Sequence, residues 1–157
     1  MENLVGRWRY EKRKRRRTRK IVIHRTGGPD WPKRTEDLID ALLNHPHGWG
    51  GKVPYTFFVE ATGRIVQAAP IDRVTPHAWK RNPDTLGIAF IGDFRVQMAT
   101  EIAYRNGGRL VRELRKMFGL SVEDITRHDL LSRGSKYPDK KCPGPLLDVA
   151  QLRFRAG

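Results

Sequence analysis

Three side chains of the 157-residue chain have the chemistry to share a divalent metal: His24, His128 and Cys142. His24 lies in "KIVIHRTGG", a β-branched run closed by glycines. His128 lies in "SVEDITRHD", and Cys142, the one cysteine, sits in "KKCPGP". Imidazole nitrogen and thiolate are good zinc donors, and a catalytic zinc takes three protein ligands and leaves its fourth position to water. The three are 104 and 14 residues apart, a spacing that no short motif captures, so residue types alone leave an alternative open. A lone cysteine cannot close an intramolecular disulfide, and a thiol that packs in the core or does redox chemistry is an equally ordinary use of it. His45 and His47, two apart in "NHPHGW", follow a helix end and read as a solvated turn.

For such a set to meet, the elements that carry it must converge. "KIVIHRTGG" predicts a buried strand with His24 at its carboxyl end. "TEDLIDALLNH" carries Leu38, Ile39, Leu42 and Leu43 at helical spacing, with Thr35 as N-cap and Pro46 and Gly48 beyond its end. "VPYTFFVEATGRIVQAAP" predicts a hairpin turning at Ala61 to Gly63, with Tyr55 near the start of its first strand. "LGIAFIGDF", residues 86 to 94, predicts another buried strand. From Gln97 to Phe118 the apolar residues recur at helical spacing, with Gly107 and Gly108 as a break or bend. A short strand then delivers His128, and "PLLDVAQLRF" closes the chain as a helix. Strands alternating with helices predict an α/β fold: a single domain with a mixed central β-sheet flanked by helices, whose ligands gather at strand ends.

A domain of this length buries roughly two-thirds of its unfolded surface, enough for one core. Net charge is +14, and residues 7 to 20 hold ten Lys or Arg against one Glu. Such a run repels itself and has little to bury, so residues 1–20 are expected to form a mobile basic arm ahead of a domain at 21–157. Its charge suits nucleic acid, anionic lipid or an acidic wall polymer. The amino terminus has no apolar stretch of the kind export requires, and no run is long enough to cross a bilayer. The chain is therefore expected to lack a signal peptide and to be made in the cytoplasm.

Five blocks, in order, carry a resemblance: "IVIHRTGG", "HGWGGKVPYTFFVEATGRIVQ", "PHAWKRNPDTLGIAFIGDF", "TRHDL" and "KKCPGP". The sequence resembles the type-2 N-acetylmuramoyl-L-alanine amidases, a family shared by small phage lysozyme-like amidases and peptidoglycan recognition proteins. The resemblance implies that fold, Zn2+ as cofactor, His24, His128 and Cys142 as its ligands, and Tyr55 and Lys140 as catalytic residues. It also places His77, Trp79 and Asn82 at substrate or in support of the site. Three features depart from the pattern: a longer stretch between His128 and Cys142, which brings Lys141 beside Lys140; Arg25 directly after the first ligand; and the basic arm.

The implied reaction is hydrolysis of the amide between the lactyl group of N-acetylmuramic acid and L-alanine of the peptidoglycan stem. The implied setting is a monomeric phage endolysin, held in the host bacterial cytoplasm until a membrane lesion lets it reach and lyse the wall. Two other functions compete. A peptidoglycan-binding protein without catalysis would lack a ligand, and here the set is complete; a nucleic-acid binder working through the arm would leave the five matching blocks unexplained.

Overall fold

Ile21, Val22 and Ile23 have no exposed surface, and they form the middle of β2 (Lys20–Arg25). In a computed structural model, which describes residues 2–4, 9–13, 18–28, 34–44, 51–134 and 141–157, this strand is parallel to both of its neighbours. They are β5 (Thr85–Phe90) on one side and β6 (Ile125–Arg127) on the other. Strands covered on both faces read as continuous apolar runs, which is how β2 and β5 read in sequence. The hairpin of β3 (Phe57–Val59) and β4 (Ile65–Gln67) joins the far side of β5, and β1 (Glu2–Asn3) adds to β4. The described residues thus form a mixed sheet in the order β1-β4-β3-β5-β2-β6.

The two faces are covered differently. Ile21, Ile23, Leu86, Ile88, Phe90 and Ile125 pack against α2 (Glu101–Phe118) and α4 (Val149–Ala156). Phe58 and Ala89, on the other face, pack with Ile39 of α1 (Thr35–Leu43). Successive side chains of a strand alternate between faces, so Val22 and His24 point to the α1 side.

Helix α2 runs through Gly107 and Gly108 without interruption, where the sequence predicts a break or bend. A Cβ on Gly107 would lie 2.6 Å from the Phe90 ring, and one on Gly108 would lie 2.6 Å from Cβ of Arg155. The two glycines therefore let the helix approach the sheet and α4, and this packing offsets their poor helix propensity of about 1 kcal/mol each. The helix begins at Glu101 rather than Gln97, because Thr100 accepts the Ala103 N–H and caps it. Likewise α4 begins at Val149, capped by Asp148, rather than at Pro145. Thr35 is the first helical residue of α1 and not its cap; its N–H and hydroxyl both donate to the buried Glu60 carboxylate at 2.9 Å.

The described residues of 1–20 lie on the domain, where the sequence predicts an arm ahead of it. Besides β1, the Tyr10 hydroxyl exchanges hydrogen bonds with Val53 O and N at 3.2 and 3.1 Å, and Lys12 bridges to Arg73. Arg13 is buried and donates to the carbonyls of Asn82, Pro83 and Arg73 at 2.9 to 3.1 Å. Charge counting misses this because the acceptors are backbone groups remote in sequence, which any segment can supply. Removing the guanidinium leaves three partly buried carbonyl hydrogen bonds without their donor, each hydrogen bond to a charged donor being worth about 1.5–3 kcal/mol. Arg13→Ala should therefore lower stability by at least about 2 kcal/mol in urea unfolding, and Arg13→Lys should recover only part of it. An unchanged midpoint for the alanine variant would contradict the anchoring role.

Candidate metal centre

His24 is the fifth residue of β2, paired in register with Ala89. Its neighbour β6 pairs Ile23 with Arg127, so the next residue, His128, arrives beside it as the first residue of α3 (His128–Leu131). The two imidazole centroids are 4.5 Å apart. Cys142 comes from the loop before α4. The Asp129 N–H donates to Cys142 O at 2.8 Å, tying this loop to the segment that carries His128. Gly144, at φ 110°, passes so close to Phe94 that a Cβ there would lie 2.5 Å from the Phe94 carbonyl oxygen, so the tight loop requires glycine. The peptide bond between Cys142 and Pro143 is cis.

One donor atom from each of His24, His128 and Cys142 lies within 4.8 Å of the others. Cys142 Sγ is 3.7 Å from His24 Nδ1. In a tetrahedral zinc site the bond lengths, about 2.0–2.1 Å to nitrogen and about 2.3 Å to sulfur, put neighbouring donors roughly 3.3–3.6 Å apart. The Cys142–His24 separation is close to that and all three donors lie within 4.8 Å, so two imidazoles and a thiolate can close around such an ion by side-chain adjustment. His24 and Cys142 are buried and His128 is half-buried, which leaves an approach from one side.

That approach is a cleft of about 300 Å³, lined by Tyr55, His77, His128 and Cys142 with Arg25, Thr26 and Gly27. Tyr55 precedes β3 by two residues rather than starting it, and its half-buried ring stands 4.9 Å from that of His24. Arg25 pairs with Asp93 at 2.6 Å, and Asp93 also binds Arg95. Those hydrogen bonds from Arg95, with the charge of Arg25, hold the Asp93 carboxyl well below the usual carboxylate range. Asp129 is occupied by Arg127 at 2.7 Å. Both acids are thus engaged by arginines.

Of the residues expected at substrate, His77 and Asn82 stand behind the donors. His77 is buried with its Nδ1 3.0 Å from His24 Nε2, and Asn82 Oδ1 accepts the N–H groups of His77 and Ala78 at 2.9 and 2.6 Å. Trp79 is 48 % exposed and is not part of the cleft lining. Lys140, with His45, His47 and Trp49, lies outside the described residues, and Lys141 is exposed. The sequence reading passes over Gly87: a Cβ there would lie 2.7 Å from Cγ of His77, so this glycine makes room for the ring. A glycine inside an otherwise apolar strand run was the available signal for such a close approach.

The model of one family, described as N-acetylmuramoyl-L-alanine amidase, matches residues 14–145. Among solved structures the fold is similar to the Ph2119 endolysin from a Thermus scotoductus MAT2119 bacteriophage, at TM-score 0.76 and 23% identity over 99% of each chain. It is similar to the amidase LysC from Clostridium intestinale URNW, at TM-score 0.74 and 20% identity over 99% of this chain and 97% of that one. It is also similar to the Drosophila peptidoglycan recognition protein SA, at TM-score 0.72 and 17% identity over 92% of this chain and 87% of that one. No curated protein matches the sequence.

Burial, followed by the nearby His128 and His77, lowers the His24 pKa well below its usual 6.5. Burial chiefly lowers that of His77, to about 3. Both rings stay neutral in the fold at pH values where the unfolded chain binds protons. Their contribution is complete above about pH 6.5 and is lost as pH falls toward the folded values. In metal-free protein the urea midpoint should fall steadily between pH 7 and 5.5, above the range in which most carboxylates titrate. A flat midpoint over that interval would contradict neutral burial of the two histidines.

Proposed function

The chain belongs to the N-acetylmuramoyl-L-alanine amidase family, and on that premise we propose that it is a zinc-dependent enzyme. The reaction is hydrolysis of the amide joining the lactyl group of N-acetylmuramic acid to L-alanine of the peptidoglycan stem peptide. The observation that carries this reading is the convergence of His24, His128 and Cys142 at ligand separations beside an open cleft.

Bound between these donors, zinc supplies a Lewis acid for the scissile carbonyl and brings the pKa of water toward about 7. Cys142 contributes as thiolate, and the two imidazoles as neutral rings, the state that burial already favours for His24. The cleft positions the amide against these residues. Tyr55, on its wall, is the proposed hydroxyl donor to the oxyanion that forms when water adds to the carbonyl. Lys140 is the second proposed donor, by the family resemblance. No glutamate adjoins a donor histidine in the way an HExxH helix supplies one, so no carboxylate base is assigned, and handling the proton of the attacking water is the alternative role proposed for Tyr55.

The likeness to an endolysin supports a phage lysis role, with synthesis in the host cytoplasm and access to the wall through a membrane lesion. A peptidoglycan-binding role without catalysis is disfavoured by the complete donor set.

Purified muropeptides incubated with the protein should be cut at the lactyl amide, as identified by fragment mass. Cutting should stop with chelator and return with zinc. Tyr55→Phe should lower the rate by about 100-fold or more with zinc binding retained. Full cleavage in chelator, or no cleavage with zinc supplied, contradicts the proposal.

A further inference from the structure

The buried ring of His77 joins two groups. On one side its Nε2 faces Thr85, 3.3 Å from the carbonyl oxygen and 3.2 Å from the hydroxyl. A carbonyl oxygen only accepts, and the Thr85 hydroxyl sends its own proton to Arg81 O at 2.5 Å. Both oxygens are therefore acceptors toward Nε2, and Nε2 must carry the hydrogen. The other nitrogen of a neutral ring is then bare, and that Nδ1 lies 3.0 Å from His24 Nε2, which must donate to it. A neutral His24 with its hydrogen on Nε2 has its lone pair on Nδ1, the atom that faces Cys142 Sγ. The reverse assignment would aim the lone pair of His77 at two buried oxygens, which is costly in a dry site.

We propose that His77 is a positioning residue, which reads the Thr85 carbonyl and so fixes His24 in the tautomer that presents Nδ1 to a metal. The acceptor behind a metal-binding histidine is commonly a carboxylate, carbonyl or water. Here it is a second neutral imidazole, oriented in turn by backbone. Its surroundings hold it in place: Asn82 Oδ1 fixes the His77 N–H, Arg13 binds the Asn82 carbonyl at 3.1 Å, and Gly87 leaves the space that the ring fills. The basic segment near the amino terminus therefore supports the site through Arg13, Asn82 and His77.

This inference rests on the proposed metal site, but its first test does not need a metal. In chelator-treated protein at neutral pH, nitrogen NMR of labelled histidines should show His24 protonated on Nε2 and bare on Nδ1. The opposite tautomer would overturn the proposal. The second test is zinc affinity by competition with a chromophoric chelator. His77→Leu should weaken binding 10- to 100-fold, and His77→Asn, whose amide oxygen can occupy the Nδ1 position, should recover most of the loss. Wild-type affinity in a folded His77→Leu variant would overturn the proposal; if that variant does not fold, the wild-type spectrum decides alone. Wild-type protein that binds no zinc yet shows the expected tautomer would refute the metal reading and leave the relay standing.

Discussion

Alternation along β2 is the constraint on which the rest of the molecule depends. Ile21 and Ile23 are locked against α2 and α4, and this sends Val22 and His24 to the opposite face. Because β2 pairs in register with β6 on one side and β5 on the other, the same rule brings His128 beside His24. It also puts Thr85, Gly87 and Ala89 on the His24 face. A slip of β2 by one residue would turn Val22 and His24 toward α2 and α4. The apolar face therefore does more than supply stability: its packing fixes which atoms meet on the other side.

What meets there is a set of buried groups, of which burial keeps His24 and His77 neutral. His24 and His77 have little access to water, and Cys142 is buried beside them. Such donors are already desolvated, so an arriving cation need not strip them of water, and any ion that binds the folded form alone stabilises it by mass action. Rigidity comes from backbone: the Cys142 carbonyl is tied to Asp129, Gly144 is pressed on Phe94, and His77 is fixed through Asn82. Fixed donors hold one geometry, which is the usual requirement of a site that must keep a coordination position open.

Much of this was legible in sequence, for reasons that are local. β-branched runs announce buried strands, and so the order of elements and the mixed sheet could be read directly. Tertiary reasons hid the remainder. Gly107 and Gly108 look like a break because propensity is summed along the chain, whereas their value lies in contacts with Phe90 and Arg155. Residues 7 to 20 read as an arm from their charge, and backbone acceptors are not visible in sequence; among the described residues of that run, Arg13 finds its carbonyls 60 to 70 positions away. His24, His128 and Cys142 are too far apart in sequence to form a motif, so donor chemistry could only suggest the set and the family likeness strengthened it before the fold brought the three together. The family likeness pointed to His77, but its place behind His24 depends on Gly87 and Thr85 in the neighbouring strand, which no sequence pattern ties to it.

Two imidazoles and one sulfur are proposed to share a single ion. X-ray absorption at the zinc edge, on protein loaded with one equivalent of zinc, reads that shell directly. The expected shell has one sulfur at about 2.3 Å and two nitrogens at about 2.0–2.1 Å, with one further light atom, and loses the sulfur in Cys142→Ser. A shell without sulfur in the wild-type protein, or one unchanged by that substitution, would contradict it.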